Sequence, residues 1–460
     1  MEMNDVCYPQ INKALDKGLI TQLFQRRLFS STSPDNSGSI VIESCEINNK
    51  RHKPSKSFVL SYHLSLLDTQ SGLRSEQVIG ARLCKLGQGQ QELHEECEKH
   101  SRNTGTSSQV VYVPELEMML WVFPQDRKLV HLAQILDAEF LKSHLGEMLP
   151  LLGCNPSNLI SGVQADVLQY LPERSCMIRY RLTVDDPSHA SCEHKIIYGK
   201  NYRDDRGVEV FSIMKQLLEQ LPKCAIPLVY DAQYRTLWQS HLSGVPLEWR
   251  DLETNNAPGL LKNIATCLAA FQDCQVQTTG YYGFKEIDGQ LFDTIKAANP
   301  QDKSLSEQIA DWVATLLAIR DELSWPKEIT FPLHQDLKFG NILVEENSAC
   351  LIDLDSVCLG DPLADIGSLV TNFYRNGLHA GRDVAYVNNI VDLFLSSYEN
   401  SVTWEVDKPR LNWFIAAAFV HEVIRRILRQ CHEIDLKHIQ TYLDLSKRYA
   451  GLIVEELENA

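Results

Sequence analysis

The sequence predicts an α+β protein with a strand-rich first half and a helix-rich second half. Three observations carry that reading. Strand-like segments with partial alternation fill residues 58–123 and recur over 167–242. From Leu247 onward the apolar residues take helical spacing. Inside the helical half lies one short hairpin, Ile342-Leu-Val344 and Leu351-Ile-Asp353-Leu-Asp355, preceded by the polar loop His334-Gln-Asp336-Leu-Lys338-Phe-Gly-Asn341.

At 460 residues the chain is too long for one compact domain. Its pattern divides into 1–150, 151–245 and 246–460. A formal net charge of −16 argues against a nucleic-acid backbone as partner. It is compatible with a cationic small substrate, although most acidic surfaces are simply solvated. The start Met1-Glu-Met-Asn-Asp5 has no basic region followed by an apolar one, so no secretory signal is expected. The apolar run Trp413 to Val420 is too short to span a bilayer, so no membrane partner is expected. Thirteen cysteines, an odd number without Cys-x-x-Cys, read as reduced thiols of a cytoplasmic protein, and zinc-ligand spacings are missing.

Taken in order, residues 30–56 are rich in Ser, Asn and Lys with one apolar interruption at Ile40-Val-Ile42. Strands are expected at 58–67, 77–83, 110–113 and 118–123, with a helix-prone stretch at 90–100. The order returns about 118 residues later. Val59 to Leu66 matches Met177 to Val184, Val78-Ile-Gly80 matches Ile197-Tyr-Gly199, and Leu120-Trp121 matches Leu237-Trp238. That favours a duplicated β-rich module over two unrelated meanders. Aligning Gly80 with Gly199 sets Ala81 opposite Lys200, with Arg82 on the other strand face. The first copy is therefore expected to lack an ammonium there and to bind no nucleotide, serving as an accessory module.

In the second copy, Leu171-Pro-Glu-Arg174-Ser175 is a turn between two strands, without a Gly-x-Gly-x-x-Gly, and Arg174 supplies a charge beside it. Lys200 ends an apolar strand. A solvated strand-end lysine is the commonest case, but a Lys turned into a cleft can pair with the α- and β-phosphates of a nucleotide, held by a helix Glu. Glu209 opens the helix 208–221 and is preferred to Glu219 for that part. Gln239 and His241 end the last strand before the Gly/Pro breaker Ser243-Gly-Val-Pro246, the place for a nucleotide-binding hinge.

The helical half is expected to hold helices at 260–271, 306–323, 389–398, 411–429 and 439–457. His421 within one of them reads as a satisfied core residue. Asp361-Pro362 suits a helix start with Asp361 as cap, and Asp365 is expected to hydrogen-bond backbone of the polar loop. In that loop Asp336, Asn341 and Asp353 are a carboxylate to orient a hydroxyl and two oxygen ligands for Mg²⁺, at the spacing that phosphoryl transfer uses.

Together these residues resemble the aminoglycoside phosphotransferase and choline-kinase-like superfamily of small-molecule kinases, over about 167–428 and most strongly over 334–367. The resemblance implies a two-lobed protein-kinase-like fold, preceded here by an additional N-lobe-like module. It implies Asp336 as catalytic base, Asn341 and Asp353 as magnesium ligands, Asp355 as a second-metal ligand, Lys200 as phosphate clamp with Glu209 its partner, and His334 as a loop-shaping residue. His334-Gln-Asp-Leu-Lys338 also resembles protein kinases locally, where Lys338 would stabilise the γ-phosphate. Only a short turn separates Asp355 from the helix start at Asp361, and no Ala-Pro-Glu follows, so there is no room for a peptide platform. The expectation is an ATP- and Mg²⁺-dependent kinase acting on a hydroxyl of a small metabolite such as a sugar, amino sugar or amino alcohol. A nucleotide-binding regulatory protein that kept the shape is the other reading.

Overall fold

The computed structural model describes residues 5–29, 40–53, 55–104, 110–187, 191–298, 303–326, 330–346, 348–430 and 437–459. By contacts the chain divides into two units. One is Met1–Gly207 with Leu228–Ser240, the other Val208–Pro227 with His241–Ala460.

The first unit holds two five-stranded antiparallel sheets, each introduced by a short helical stretch. Helices α1 (Ile11–Ala14) and α2 (Lys17–Leu28) precede β1 (Ile40–Lys53), β2 (Ser57–Asp68) and β3 (Arg74–Leu83). Helix α3 (Gly89–Thr104), β4 (Val110–Val113) and β5 (Met118–Val122) complete that set. Helix α4 (Ala138–Gly146) precedes β6 (Leu159–Leu171), β7 (Ser175–Asp186) and β8 (Ser191–Tyr202). Strands β9 (Pro227–Asp231) and β10 (Thr236–Ser240) follow helix α5 (Arg206–Leu218), whose residues from Val208 on group with the second unit. The strand orders are β1-β2-β3-β5-β4 and β6-β7-β8-β10-β9.

Local chemistry explains the two helices that open the sets. Asp16 accepts from the Leu19 amide and Asp137 from the Phe140 amide, satisfying helix-start donors that would otherwise lack partners. Each helix then covers its sheet. The chain just before each of these helices is bound to the sheet as well: Tyr62 on β2 donates to the carbonyl of Ala14, and Tyr180 on β7 to that of Ile135, both at 2.8 Å. The first core gathers Ile20, Phe24, Phe58 and Ile79, the second Leu141, Leu145, Ile178 and Trp238. Neither opening helix stands out in the sequence, because four or five apolar residues in each suffice once a sheet is there to bury them.

Strand β1 was expected to be a polar stretch broken only at 40–42. It pairs along its whole length with β2 as an edge strand, burying Ile42 and Cys45 and turning its Ser, Asn and Glu residues outward. A half-solvated edge strand has the composition of a loop.

In the second unit, α6 (Ala257–Gln272), α7 (Phe284–Ala297) and α8 (Lys303–Glu322) lead to β13 (Phe331–Leu333), after two short strands, β11 (Val245–Pro246) and β12 (Tyr281–Tyr282). The hairpin β14 (Ile342–Glu345) and β15 (Ser348–Leu351) follows, with β16 (Cys358–Gly360) behind it. Helices α9 (Leu363–His379) and α10 (Val384–Glu399) come next. The single helix expected over 411–429 is broken. Helix α11 (Lys408–Ala418) passes into a π-turn at Phe419–Ile424 and then α12 (Arg425–Gln430), before α13 (Ile439–Asn459). Such a wide turn re-aims the residues after it, and π-turns gather at functional sites. Among the described residues no helix is long and apolar enough to cross a membrane, and the described cysteines are all free.

Candidate active site

The polar loop is held by what lies beneath it. Its first two amides, His334 and Gln335, donate to the buried Asp365 carboxylate at 2.6 and 3.0 Å. His334 Nε2 lies 2.9 Å from the Ile352 carbonyl, and its Nδ1 accepts from the Asp336 amide at 3.4 Å. These bonds bear out the structural parts expected of Asp365 and His334. They also hold Gln335 at φ 62°, a left-handed conformation that a non-glycine residue keeps only when its surroundings fix it. Burial raises the Asp365 carboxyl, opposed by His334 and the two amides.

Asp336 stands next in the loop, half-buried. Its Oδ2 accepts from Lys338 Nζ at 2.5 Å and from Asn341 Nδ2 at 3.1 Å, and the same Asn341 nitrogen donates to the Asp336 carbonyl at 2.8 Å. Asn341 therefore commits its amide nitrogen to Asp336. Its amide oxygen makes no hydrogen bond among the described residues.

The hairpin brings the metal-ligand candidates together. Ile342 pairs with Leu351, and the Ile352 amide donates to the Asn341 carbonyl at 3.0 Å, so Asn341 and Asp353 leave neighbouring strand ends. Asp353 has φ 64° and opens a short turn that carries Asp355. An amide oxygen and a carboxylate are hard oxygen donors that suit Mg²⁺, which keeps waters and takes phosphate oxygens for its other positions. Among the described residues no group of three or more His, Cys, Asp or Glu could hold a metal alone.

Asp361 does meet the helix start, accepting from the Leu363 amide at 3.0 Å, and it also binds Arg410. Burial raises its carboxyl despite that guanidinium. His421 is buried as expected but not satisfied, since its Nδ1 has no partner among the described residues, and burial pushes the imidazole down to about 3.

On the nucleotide side, Lys200 is buried, 7% exposed, which excludes the solvated strand-end reading. Its ammonium lies 5.7 Å from the Tyr202 ring centroid. Arg174 is exposed at the 171–175 turn, and Gln239 pairs with Tyr198 along β10. Glu209 and His241 belong to the second unit, where Glu209 accepts from Thr278 Oγ1 at 2.8 Å.

The ladders correct one sequence alignment. Lys200 pairs with Met177 and Leu237, and Arg82 pairs with Val59 and Met119. Each residue of the first trio lies 118 positions after its counterpart in the second. Register thus equates Arg82, not Ala81, with Lys200, and Ala81 with Gly199. The first sheet does carry a cation at that position. Glycine matching failed because Gly80 and Gly199 take adjacent ladder positions, and adjacent positions face opposite ways.

Sequence reasoning also missed a cavity of about 290 Å³ in the second unit, lined by Asp336, Lys338, Tyr282, Glu422, Arg425 and Arg426 among others. Its one signal was Arg425-Arg426-x-x-Arg429, which follows the apolar run Trp413 to Val420.

Residues 202–390 match the phosphotransferase enzyme family. The match agrees with the class expected, a phosphotransferase, and the strands and helices agree with the α+β class expected. No curated protein matches the chain. Similar solved structures include a choline kinase from Cryptosporidium parvum Iowa II, at 13% identity and TM-score 0.47 over 67% of this chain and 95% of that one. An amicoumacin kinase in complex with AMP-PNP, Ca²⁺ and Ami is 14% identical, TM-score 0.46, over 62% and 88%. A thermostable mutant of aminoglycoside phosphotransferase APH(4)-Ia, with AMP-PNP and hygromycin B, is 15% identical, TM-score 0.44, over 67% and 98%.

Proposed function

We propose that the protein is an ATP- and Mg²⁺-dependent phosphotransferase that moves the γ-phosphate to a hydroxyl of a small metabolite. One observation carries this reading: the Asp336 carboxylate, fixed by Lys338 and Asn341, forms part of the wall of a cavity of small-molecule size. Asp336 orients the acceptor hydroxyl and takes its proton. Lys338 holds the carboxylate in place and lies ready for the transferred group. Asn341 and Asp353 would hold Mg²⁺, which supplies charge neutralisation between the β- and γ-phosphates, and Asp355 would serve a second ion. Lys200 takes the α- and β-phosphates with Glu209 as its partner, and Arg174, Gln239 and His241 complete the nucleotide side. Residues 1–150 are read as a second copy of the 151–245 lobe that serves as an accessory module.

Asp336→Asn tests the assignment. It keeps the size of the side chain, so the melting temperature and AMP-PNP affinity should stay near those of the parent. Acceptor-dependent turnover should drop by about two decades or more, the scale of a lost general base. Turnover equal to the parent's would remove Asp336 from the chemistry.

A further inference from the structure

The cavity beside Asp336 has a charge that the rest of the chain does not predict. Four cationic side chains line it, Lys338, Arg425, Arg426 and Arg429, against two carboxyl groups, Asp336 and Glu422. Lys338 is matched with Asp336 at 2.5 Å, and Arg429 meets Asp293 at 3.2 Å. Glu422 is bonded to Ser368 Oγ, and burial raises its carboxyl toward the neutral form. The side chains of Arg425 and Arg426 make no hydrogen bond or ion pair among the described residues. Arg425 is half-buried as well, and burial followed by the neighbouring Arg429 lowers its guanidinium from the ordinary arginine value. Glu422 and Asp293 act on Arg425 only through space, so among the described residues its guanidinium has no ion-pair partner, and an anion that enters would offset the cost of burying it. The π-turn brings this about, because it sits between α11 and α12 and sets the direction of the arginines that follow.

We propose that this pocket receives the phosphoryl acceptor by an anionic group, a carboxylate or a phosphate ester on a small hydroxy compound, with Arg425 and Arg426 as its receptors. The proposal rests on the phosphotransferase reading above and narrows its acceptor. Amino sugars and amino alcohols bring a positive charge toward unpaired guanidinium groups. A hydroxy acid or a sugar phosphate brings the opposite one, and Arg offers planar donors that fit either anion. Bound in this way, the acceptor turns its hydroxyl to Asp336. The hydroxyl proton passes to that carboxylate and the oxygen bonds to the γ-phosphorus. The bond from phosphorus to the β–γ bridging oxygen breaks, and its electron pair leaves with ADP. A volume of about 290 Å³ limits the acceptor to roughly one ring or a short chain.

The test is calorimetric titration of the full chain at constant ionic strength, with and without saturating Mg²⁺ and AMP-PNP. The probes are D-glycerate, glycerol 3-phosphate, glycerol and ethanolamine. At least one of the two anions should bind saturably, about ten-fold or more tighter than glycerol or ethanolamine, and the better of them tells carboxylate from phosphate. Arg425→Gln and the exposed Arg426→Gln should each weaken that binding about ten-fold, the size of one lost charge-assisted bond. Ethanolamine binding as tightly as the anions, no saturable anion binding, or the same anion affinity in Arg426→Gln would each overturn the proposal. Failure of AMP-PNP to bind would instead count against the donor assignment, because the anion titration is also run without nucleotide.

Discussion

The two sheets of the first unit are built alike and loaded differently. Their bulges fall at matching places, between Ile42 and Ser44 in one and between Ile160 and Gly162 in the other. Their β-hairpin turns match as well. Ser55 and Glu173 both have φ 57°, and their amides donate to Asp5 and Asp126 at 2.8 and 3.0 Å. His52 meets Asp5 at 2.8 Å, and Tyr170 donates to Asp126 at 2.7 Å. The difference lies in what the shared positions carry. Ser55 is exposed, while Glu173 is buried and faces three arginines: Arg82 at 3.2 Å, Arg127 at 3.5 Å and Arg51 at 3.9 Å. Arg82, in the ladder position of Lys200, is thus spent on the hairpin of the other sheet. Gln91 stands where the second set has Glu209, by the same spacing of 118. One scaffold serves two ends: a buried lysine, proposed above as a phosphate clamp, in one sheet, and an arginine turned into a structural contact in the other.

The largest test of that contrast compares the two cations. Lys200→Met should lower phosphoryl transfer by about two decades or more, the scale of a lost preorganised charge. Arg82→Met should keep turnover within a few-fold and cost about 1–3 kcal/mol in urea unfolding, since it leaves buried Glu173 short of a partner. Equal catalytic losses would mean that the first sheet also takes phosphate. Next in size, Glu173→Gln should cost about 1–3 kcal/mol by the same measurement, because it leaves the facing arginines without their carboxylate. Ser55→Gln, at the matching turn position, should stay within about 0.5 kcal/mol, as exposed substitutions do. A cost at Ser55 like that at Glu173 would assign the effect to turn geometry and not to the arginines.

The smallest effect concerns acid. Burial acts to raise the Asp5 carboxyl, but hydrogen bonds from Ser55, His52 and Cys7 bring it below the usual aspartate value. A carboxyl lowered by folding adds stability above its unfolded value, near pH 4, and loses it as the pH falls further. Asp5→Asn should therefore be less stable at neutral pH by about 1 kcal/mol and show a flatter loss below about pH 4. An unchanged acid profile would remove Asp5 as the pin of the first hairpin.

The polar loop at 334–341 was legible because its chemistry is local. Asp336, Lys338 and Asn341 lie within one turn of chain, and Asp353 follows after a hairpin whose pairing sets its place. The parts of Asp365 and His334 were legible for the same reason, close spacing on either side of that hairpin. The Arg425 and Arg426 pocket was not. A π-turn cannot be read from apolar spacing, and a run of arginines after an apolar segment is in most chains a solvated flank. Helices α2 and α4 escaped because their apolar faces are short and gain their stability from a sheet far along the chain.

By itself the sequence determined which residue types stand at short range, and hence the loop, the hairpin and the order of strands and helices. It also held the spacing of about 118 residues. Only the tertiary structure decided the register that equates Arg82 with Lys200, because one step along a strand reverses every side chain and the sequence match was uncertain by that one step. It also decided that Arg425 and Arg426 share a cavity with Asp336, since nearness between residues some ninety positions apart is set by packing.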